Sequence, residues 1–186
     1  GEQTKKIKIS EGINRHDFQL QSTFLKIKPI IVTAQRREEN LQNVPVAITA
    51  MENKDLHNRG IDRVIDLQNS VPNFYFVSGT FNTRSSSSIR GIAGATFTSG
   101  IETRATYYVD DVYLGRSIAA NMDLFDLQRI EILKGPQGTL FGKNTVSGVI
   151  NITTRKPSNI CEGSLSVDGG NFNYLNSIFV FNAPVL

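Results

Sequence analysis

Residues 129–157 read RIEILKGPQGTLFGKNTVSGVINITTRKP, and this stretch decides the fold predicted for the chain. In its first part, apolar Ile130 and Ile132 alternate with charged Arg129 and Glu131. Alternation with a period of two residues is typical of a strand with one buried face. We therefore predict a half-buried β-strand that begins at this point of the chain.

The rest of the stretch predicts a short helix and a second strand. Pro136 suits the first position of a helix, because the N–H that proline lacks has no partner there. Gly142 is well placed to end a helix over residues 137–141. Residues 149–154 are mostly β-branched and favour a strand. On spacing alone, a structural corner in any mixed domain shows the same pattern.

A phosphate-binding loop is one function class that this glycine-bearing link suggests, and the spacing excludes it. A P-loop has the form GxxxxGK followed by Ser or Thr, whose hydroxyl holds magnesium. Here the link from Gly138 to Gly142 is one residue too short, and Asn144 follows Lys143. We therefore predict no nucleotide site.

The composition indicates a folded domain and argues against several other classes. Of the 186 residues, 39% are hydrophobic and 20% are charged. No run approaches the ~18 apolar residues of a membrane helix, and a net charge of +3 without a basic stripe predicts no nucleic-acid partner. Cys161 is the single cysteine, and His16 and His57 lack neighbours at metal-ligand spacing, so we predict no metal and no other cofactor.

Three motifs, in order, resemble the plug domain of TonB-dependent outer-membrane receptors. They are Ser-Ile-Arg-Gly at 88–91, Tyr-Val-Asp-Asp-Val-Tyr-Leu-Gly at 108–115, and the stretch at 129–157. Small departures from the family's commoner Arg, Tyr and Gly are Lys134, Phe141 and Ser147. The resemblance implies an α+β plug domain over residues 40–157, with a small mixed central β-sheet and short helices.

Local signals suggest how this domain begins. We predict its first strand over residues 44–50, then a helix that Asn53 caps and that runs to Asn58. A second helix is predicted to follow with Asp62 as its cap. Apolar residues of these elements are expected to form the core.

The chain before the plug divides into two segments. Residues 1–28 carry alternating runs too short to bury a core, and we interpret them as the tail of a preceding small β domain or as a linker. Residues 29–39 favour an extended conformation that can add to the sheet edge of another protein. The resemblance implies that they are the TonB box, which binds the C-terminal domain of TonB; the alternative is the first plug strand. The residues expected to bind TonB are Ile30, Ile31, Val32, Thr33 and Ala34.

Three polar, glycine-bearing loops at 78–85, 93–104 and 115–122 are expected to contact a small-molecule or oligosaccharide substrate. Loops on a rigid scaffold are the usual place for recognition. The resemblance places them at the plug apices that face the substrate, and solvated turns are the alternative. The expected contact residues are Phe81, Arg84, Phe97, Glu102, Arg116 and Asn121.

Four charged residues of the motifs are expected to contact the barrel that surrounds a plug. The resemblance implies that Arg90 and Lys134 pair with carboxylates of the barrel wall. Arg90 is expected to matter more, because a guanidinium can pair bidentately. Arg129 and Glu131 are expected at the same interface. The alternative for the two cations is a solvated surface charge of little energetic value.

After residue 157 the pattern changes to two alternating runs around a Gly-Gly-Asn turn at 169–171. Transmembrane barrel strands of ~9–11 residues show this alternation of polar and apolar side chains. Two strands cannot close a barrel. We therefore interpret residues 158–186 as the first strands of an outer-membrane β-barrel that the chain does not complete.

The resemblance implies the gate of a transporter in the bacterial outer membrane, with its N-terminal segment in the periplasm. The plug would occlude the barrel, contact a siderophore, cofactor or oligosaccharide, and couple to TonB. No nucleophile and base form a pair, so we do not expect an enzyme. The alternatives are a free-standing soluble module that binds a carbohydrate or a protein, and a hydrolase suggested by Asp110, Asp111 and Glu131.

Overall fold

The computed structural model describes residues 29–33, 36–78, 85–94, 103–115 and 122–184, so the segment 1–28 lies outside it. In chain order, the strands are β1 (Ile31–Val32), β2 (Glu39–Asn40), β3 (Ile48–Glu52), β4 (Phe74–Ser78), β5 (Ser85–Ile89), β6 (Ile92–Ala93), β7 (Ala105–Val109), β8 (Val112–Leu114), β9 (Leu127–Lys134), β10 (Gly148–Thr154), β11 (Glu162–Gly170) and β12 (Tyr174–Asn182). The helices are α1 (Asn53–Asn58), α2 (Gly138–Phe141) and the 3-10 helices Leu41–Asn43 and Val64–Asn69. Across these described ranges, no helix has both the length and the apolar character needed to span a membrane.

A five-stranded mixed sheet in the order β3-β9-β10-β7-β8 is the centre of the fold. β10 runs parallel to β7 and antiparallel to β9, and the other neighbours pair antiparallel. The register places Ile130 of β9 opposite both Met51 of β3 and Ile152 of β10. The predicted α+β class with a small mixed sheet and short helices is therefore confirmed.

Both faces of this sheet are covered, which corrects the expectation of a half-buried β9. On the first face, Ile130 and Ile132 pack with residues of α1, the 3-10 helix Val64–Asn69 and the strands β4 and β5. On the second face, Leu133 packs with Val32 and with Phe141 of α2. Since side chains alternate along a strand, Arg129 and Glu131 lie on the second face.

Three smaller sheets complete the described part of the chain, and the first of them pairs β1 with β2. β4, β5 and β6 form an antiparallel three-stranded sheet. β11 and β12 form the predicted hairpin, with Glu162 opposite Asn182 at its open end. The turn lies two residues later than predicted, because both glycines belong to β11 and the positive φ angles fall on Phe172 and Asn173.

Three predicted helix starts and one predicted strand are wrong in detail. β3 begins at Ile48 rather than at residue 44, since residues 41–43 form a 3-10 helix. β3 runs directly into α1, so Glu52 is the N-cap and Asn53 is the first helical residue.

The second and third helix starts are displaced for reasons of local hydrogen bonding. The 3-10 helix Val64–Asn69 has Arg63 as its N-cap instead of Asp62, because the Asp66 carboxylate reaches back to accept the Arg63 N–H at 2.9 Å. Pro136 precedes the N-cap of α2, so it is not the first helical residue. Gly142 ends α2 with a φ of 77°, as predicted.

Candidate functional site

The segment predicted to bind TonB is docked on the domain. β1 pairs antiparallel with β2, and the Leu41 N–H donates to the Ile30 carbonyl at 2.9 Å. The Val32 side chain is fully buried in the cluster that contains Leu133 and Phe141. The segment therefore contributes both a strand and a core residue to the domain.

A buried carboxylate holds the end of this segment. Glu131 has an exposed fraction of 0%. It accepts the Thr33 N–H at 2.7 Å and the Thr33 hydroxyl at 3.2 Å through Oε1. Arg129 Nε donates to the same oxygen at 2.7 Å, and Asn151 Nδ2 donates to Oε2 at 3.3 Å. The charge of Glu131 is thus paired and hydrogen-bonded, as a buried charge requires.

The packing explains why the sequence alone missed this cluster. The alternation along β9 correctly places Arg129 and Glu131 on one face, and the docked segment then covers that face. Glu131 is directly opposite Asn151 of β10. A polar side chain in the middle of a β-branched run is a sequence signal that could have pointed to the cluster. Because Glu131 is fully buried among partners of its own domain, it has no accessible surface for the expected barrel contact.

Arg36 adds a further contact between this segment and the sheet. Its guanidinium carbon lies 5.3 Å from the centroid of the Phe141 ring and 5.9 Å from that of Tyr108. The Arg36 N–H donates to the Thr33 carbonyl at 2.8 Å, which turns the chain. The Tyr108 hydroxyl in turn donates to the Phe141 carbonyl. A cation over two aromatic rings is a favourable arrangement that further fixes the segment.

A polar cleft of about 370 Å³ opens beside the docked segment, where β10 ends. Thr33 and Arg36 line one part of it, and Asp110, Asp111 and Thr154 line another. Asp110 accepts the Thr154 N–H at 2.9 Å and the Thr154 hydroxyl at 2.7 Å. Asp110 and Glu131 thus serve structural contacts, and the cleft offers no observation in favour of the hydrolase alternative.

Arg90 and Lys134 lie together on the other face of the sheet. The Arg90 N–H donates to the Asn73 carbonyl at 2.9 Å, and Lys134 Nζ donates to the Pro72 carbonyl at 3.0 Å. A Cβ placed on Gly135 would lie 3.4 Å from Arg90 Nη1. Among the described residues, neither cation forms an ion pair with a carboxylate.

The proximity of the two cations affects the protonation of the lysine. Partial burial, and secondly the positive charge of Arg90, lower the pKa of Lys134. Both causes penalise the charged ammonium. The pair therefore presents positive charge that a carboxylate from outside the described chain would neutralise.

Several expected site residues fall outside the residues that the structure describes. They are Ala34 of the TonB-binding set and the loop residues Phe81, Arg84, Phe97, Glu102, Arg116 and Asn121. The loops that carry the latter begin and end at strands of the described domain, such as β4, β5 and β7. Their contact with a substrate stays a prediction.

The hairpin of β11 and β12 has one strongly apolar face. Leu165 lies opposite Phe179, and Gly163 lies opposite Phe181. The rings of Phe179 and Phe181 stack with centroids 6.3 Å apart. All the large apolar side chains of this face are exposed, including Val167. A contiguous exposed apolar surface of this kind is typical of a site that contacts a membrane or another protein.

The fold and these motifs match those of known proteins. The family model "TonB-dependent Receptor Plug Domain" matches residues 40–149, more than half of the chain. An iron-regulated outer membrane virulence protein of Vibrio cholerae is 31% identical over 150 residues, 74% of this chain and 22% of that protein. A vitamin B12 transporter of Vibrio vulnificus is 26% identical over 141 residues, 73% of this chain and 22% of the transporter.

A solved structure agrees with this match. The ferric yersiniabactin uptake receptor FyuA from Yersinia pestis has a TM-score of 0.68 at 28% identity, over 75% of this chain and 22% of the receptor. The chain spans about a fifth of the length of these relatives. By name, the first is an outer membrane virulence protein, the second is a transporter and FyuA is an uptake receptor. From its ordered motifs, its mixed sheet and these matches, the chain belongs to the TonB-dependent receptors and contains their plug domain.

Proposed function

We propose that this chain is the gate of an outer-membrane transporter and that residues 29–39 couple it to TonB. The observation that carries the proposal is the position of the segment 30–33. It lies in extended conformation beside the cleft where β10 ends, which is also where the chain leaves for the hairpin. The coupling segment and the connection to a barrel are therefore at the same end of the sheet, and we place this end in the periplasm.

Strand addition is the mode of TonB binding that the segment supports. Main-chain hydrogen bonds supply the affinity in this mode, and side chains matter less. A pairing of a few residues has few hydrogen bonds, each contributing about 1 kcal/mol net. We therefore expect modest affinity for the C-terminal domain of TonB.

The two cations and the hairpin support the remaining parts of the proposal. Arg90 and Lys134 present positive charge without a carboxylate partner in the described chain, which fits pairing with acidic side chains of a barrel wall. The exposed apolar face that contains Leu165 and Phe179 fits contact with lipid once a barrel is complete. We accordingly place the protein in the bacterial outer membrane, with the remainder of a barrel as its partner.

The names of the relatives suggest the class of cargo. One is a ferric yersiniabactin uptake receptor and another is a vitamin B12 transporter. We propose that the complete transporter takes up a ferric siderophore, with the loops at 78–85, 93–104 and 115–122 contacting it. The two cargoes are distinguished by measuring the uptake of radiolabelled iron complexes and of radiolabelled cobalamin. Cells with the receptor are compared with cells that lack it. Uptake of cobalamin alone would overturn the siderophore assignment.

TonB binding to the segment is tested with a matched pair of variants at Ile31. Its side chain is exposed, so either substitution leaves the core intact. Ile31→Pro removes a main-chain donor from β1, and we expect about fivefold weaker binding of the TonB C-terminal domain, measured by calorimetry. Ile31→Val keeps the donor, so its affinity should equal that of the unsubstituted chain.

Deletion of residues 29–39 completes this experiment. We expect the deletion to abolish TonB binding while the thermal unfolding transition persists. Undiminished binding after the deletion would show that TonB contacts another part of the chain, and the coupling role of the segment would be abandoned.

A further inference from the structure

We propose that Phe172, at the tip of the hairpin of β11 and β12, anchors the hairpin at the boundary between the apolar core of a bilayer and its headgroups. This inference rests on the proposed function, because it assigns a lipid contact to a hairpin that we place in the outer membrane. It goes beyond that function, because it concerns the turn and not the apolar face of the strands. Two observations carry it, the backbone conformation of Phe172 and the exposure of its side chain.

The turn holds Phe172 in a conformation that suits few side chains. The Tyr174 N–H donates to the Asn171 carbonyl at 3.3 Å and closes the turn. The two central residues, Phe172 and Asn173, have φ angles of 60° and 58°. Turns with two positive φ angles favour Asn and Gly, because the left-handed region is strained for a bulky side chain. Asn173 fits this preference, and Phe172 does not.

A residue that contradicts a local preference at a strained position is a candidate for a functional contact. Contacts within the described chain do not explain Phe172, because its side chain is fully exposed. Glycine or asparagine at this position would relieve the strain, so the folding of the hairpin alone favours another residue. The benefit of the aromatic ring must therefore come from a contact outside the described chain.

The length of the hairpin places its tip at the boundary of a bilayer. β11 and β12 have nine residues each, which gives a length of about 30 Å. Strands of this length, tilted by about 40°, cover the apolar band of about 25 Å of an outer-membrane barrel. The proposed function places the start of β11 on the periplasmic side, so the turn lies at the opposite boundary. Aromatic side chains are enriched at both boundaries of such barrels.

The surroundings of Phe172 are those of a lipid boundary. The apolar face of the hairpin continues to the turn, since Leu175 lies on the same face as Leu165 and is exposed. Residues 169–175 carry no charge, and an asparagine stands on each side of Phe172. The two amide side chains can donate to and accept from headgroups. The tip thus combines an apolar ring with uncharged polar groups, as a boundary between hydrocarbon and headgroups requires.

Lipid fits this tip better than a second copy of the chain does. A phenylalanine side chain buries about 200 Å², whereas a stable protein interface needs about 800 Å² from each partner. Lipid requires no complementary protein surface, so a single ring is enough to strengthen the attachment.

The test uses tryptophan fluorescence of the whole 186-residue chain bound to phosphatidylcholine vesicles. The chain contains no tryptophan, so each variant reports on one position. Phe172→Trp reports on the tip, and Phe179→Trp reports on the apolar face of the strands. Tyr75→Trp is the control, because it replaces an exposed aromatic ring of the plug domain. Bromine atoms on the acyl chains, placed near the headgroup or near the bilayer centre, quench tryptophan at their own depth.

We expect bromine near the headgroup to quench Phe172→Trp at least about twofold more than bromine near the bilayer centre does. Phe179→Trp should show the reverse order, and Tyr75→Trp should be quenched by neither. Quenching of Phe179→Trp alone would overturn the anchor while the lipid contact of the hairpin stands. Quenching of none of the three would overturn both the anchor and that lipid contact.

Two further outcomes of the same experiment would also overturn the anchor. One is equal or stronger quenching of Phe172→Trp by the central bromine, which would place the tip inside the hydrocarbon. The other is quenching of Tyr75→Trp as strong as that of Phe172→Trp, which would indicate adsorption of the whole chain without a preferred contact.

A matched pair of variants at Phe172 measures what the ring contributes. Phe172→Asn keeps a residue that tolerates a positive φ angle, so the turn is retained. We expect about tenfold weaker partitioning of this variant into the same vesicles, measured by co-sedimentation, because the burial of one aromatic ring is lost. Phe172→Trp keeps an aromatic ring and should partition within about twofold of the original chain. Unchanged partitioning of Phe172→Asn would show that Phe172 is not an anchor.

Discussion

Three charged residues of β9, together with Arg90 after β5, form two pairs on opposite faces of the central sheet, and the two pairs have different surroundings. Arg129 and Glu131 are covered by the docked segment and bound to one another at 2.7 Å. Lys134, three residues further on, lies on the other face beside Arg90, with no carboxylate partner in the described chain. The sequence motifs suggested one role for all four residues. In the structure, the first pair contacts groups of its own chain, and the second pair has no carboxylate partner among the described residues.

The difference shows that the role of a charged residue depends on what covers its face of the strand. A buried ion pair adds little net stability relative to apolar residues. Once it is present, however, both members are needed for stability, because removing one leaves the other as a buried charge without a partner. An exposed cation contributes little in either direction. Substitutions at the two sites should therefore differ greatly in their cost.

The largest effect is expected for Glu131→Ala. It leaves the guanidinium of Arg129, whose side chain is 10% exposed, without its counter-charge. We expect a loss of about 3 kcal/mol in the free energy of unfolding, measured by urea denaturation. Glu131→Gln, which keeps one acceptor oxygen but replaces the other with an NH2 donor and removes the charge, should lose less.

Lys134→Ala is the matched control for that experiment on the opposite face. Its cost should stay below about 0.5 kcal/mol. Equal losses at the two positions would contradict the distinction between a covered pair and an exposed pair.

Sequence periodicity predicts strands well, but it does not predict which distant segment of the chain covers a given face of a strand. The alternation in 129–133 and the β-branched run in 149–154 predicted β9 and β10, because a strand's period of two follows from its own geometry. The Thr33 contact to Glu131 joins residues 98 positions apart, and no local pattern encodes it. The polar face of β9 was therefore expected at a barrel interface, although the chain's own N-terminal segment covers it.

Short-range errors have a different cause. Asn53 and Asp62 are both good N-cap residues by type, yet neither is the cap. The strand β3 continues to Glu52 and leaves Asn53 inside the helix, while the Asp66 carboxylate accepts the N–H of Arg63, which is the N-cap in place of Asp62. Local propensity correctly predicts that these helices exist. Their first residues are determined by the neighbouring elements and their hydrogen bonds.

Tyr107 extends the comparison to an uncharged polar group, because its hydroxyl is buried without a hydrogen bond of ordinary geometry in the described structure. Its hydroxyl lies on the first face of the central sheet near the Ser87 hydroxyl, which partly offsets the effect of burial on the pKa of Tyr107, but no hydrogen bond of ordinary geometry joins the two hydroxyls in the structure described. An unsatisfied buried hydroxyl costs free energy. We expect Tyr107→Phe to raise the free energy of unfolding by about 1 kcal/mol, the opposite sign to Glu131→Ala.

The same residue predicts a dependence of stability on alkaline pH. Burial raises the pKa of Tyr107 above the ordinary value of 10.0, so the folded state keeps a proton that the unfolded state releases. The contribution of the protonated Tyr107 hydroxyl to the stability of the folded state is complete below pH 10.0 and falls as the pH rises beyond this value. Urea denaturation at pH 9 and about pH 11 should show that the original chain loses free energy of unfolding at the higher pH, and that Tyr107→Phe loses less. An identical loss in both would exclude Tyr107 as its source.

The smallest effect is expected at Arg90, where the question is whether the charges of exposed Arg90 and half-buried Lys134 interact. Arg90→Ala should raise the pKa of Lys134 in part, because the repulsion disappears while the larger cause, partial burial, remains. Arg90→Lys keeps the positive charge and should leave the pKa of Lys134 low. Nuclear magnetic resonance titration of the Lys134 side chain measures both, and equal values in the two variants would show that the cations do not interact. If they do interact, a barrel carboxylate placed between them would raise the same pKa further, so this titration in a complete receptor would also report whether the proposed external partner is present.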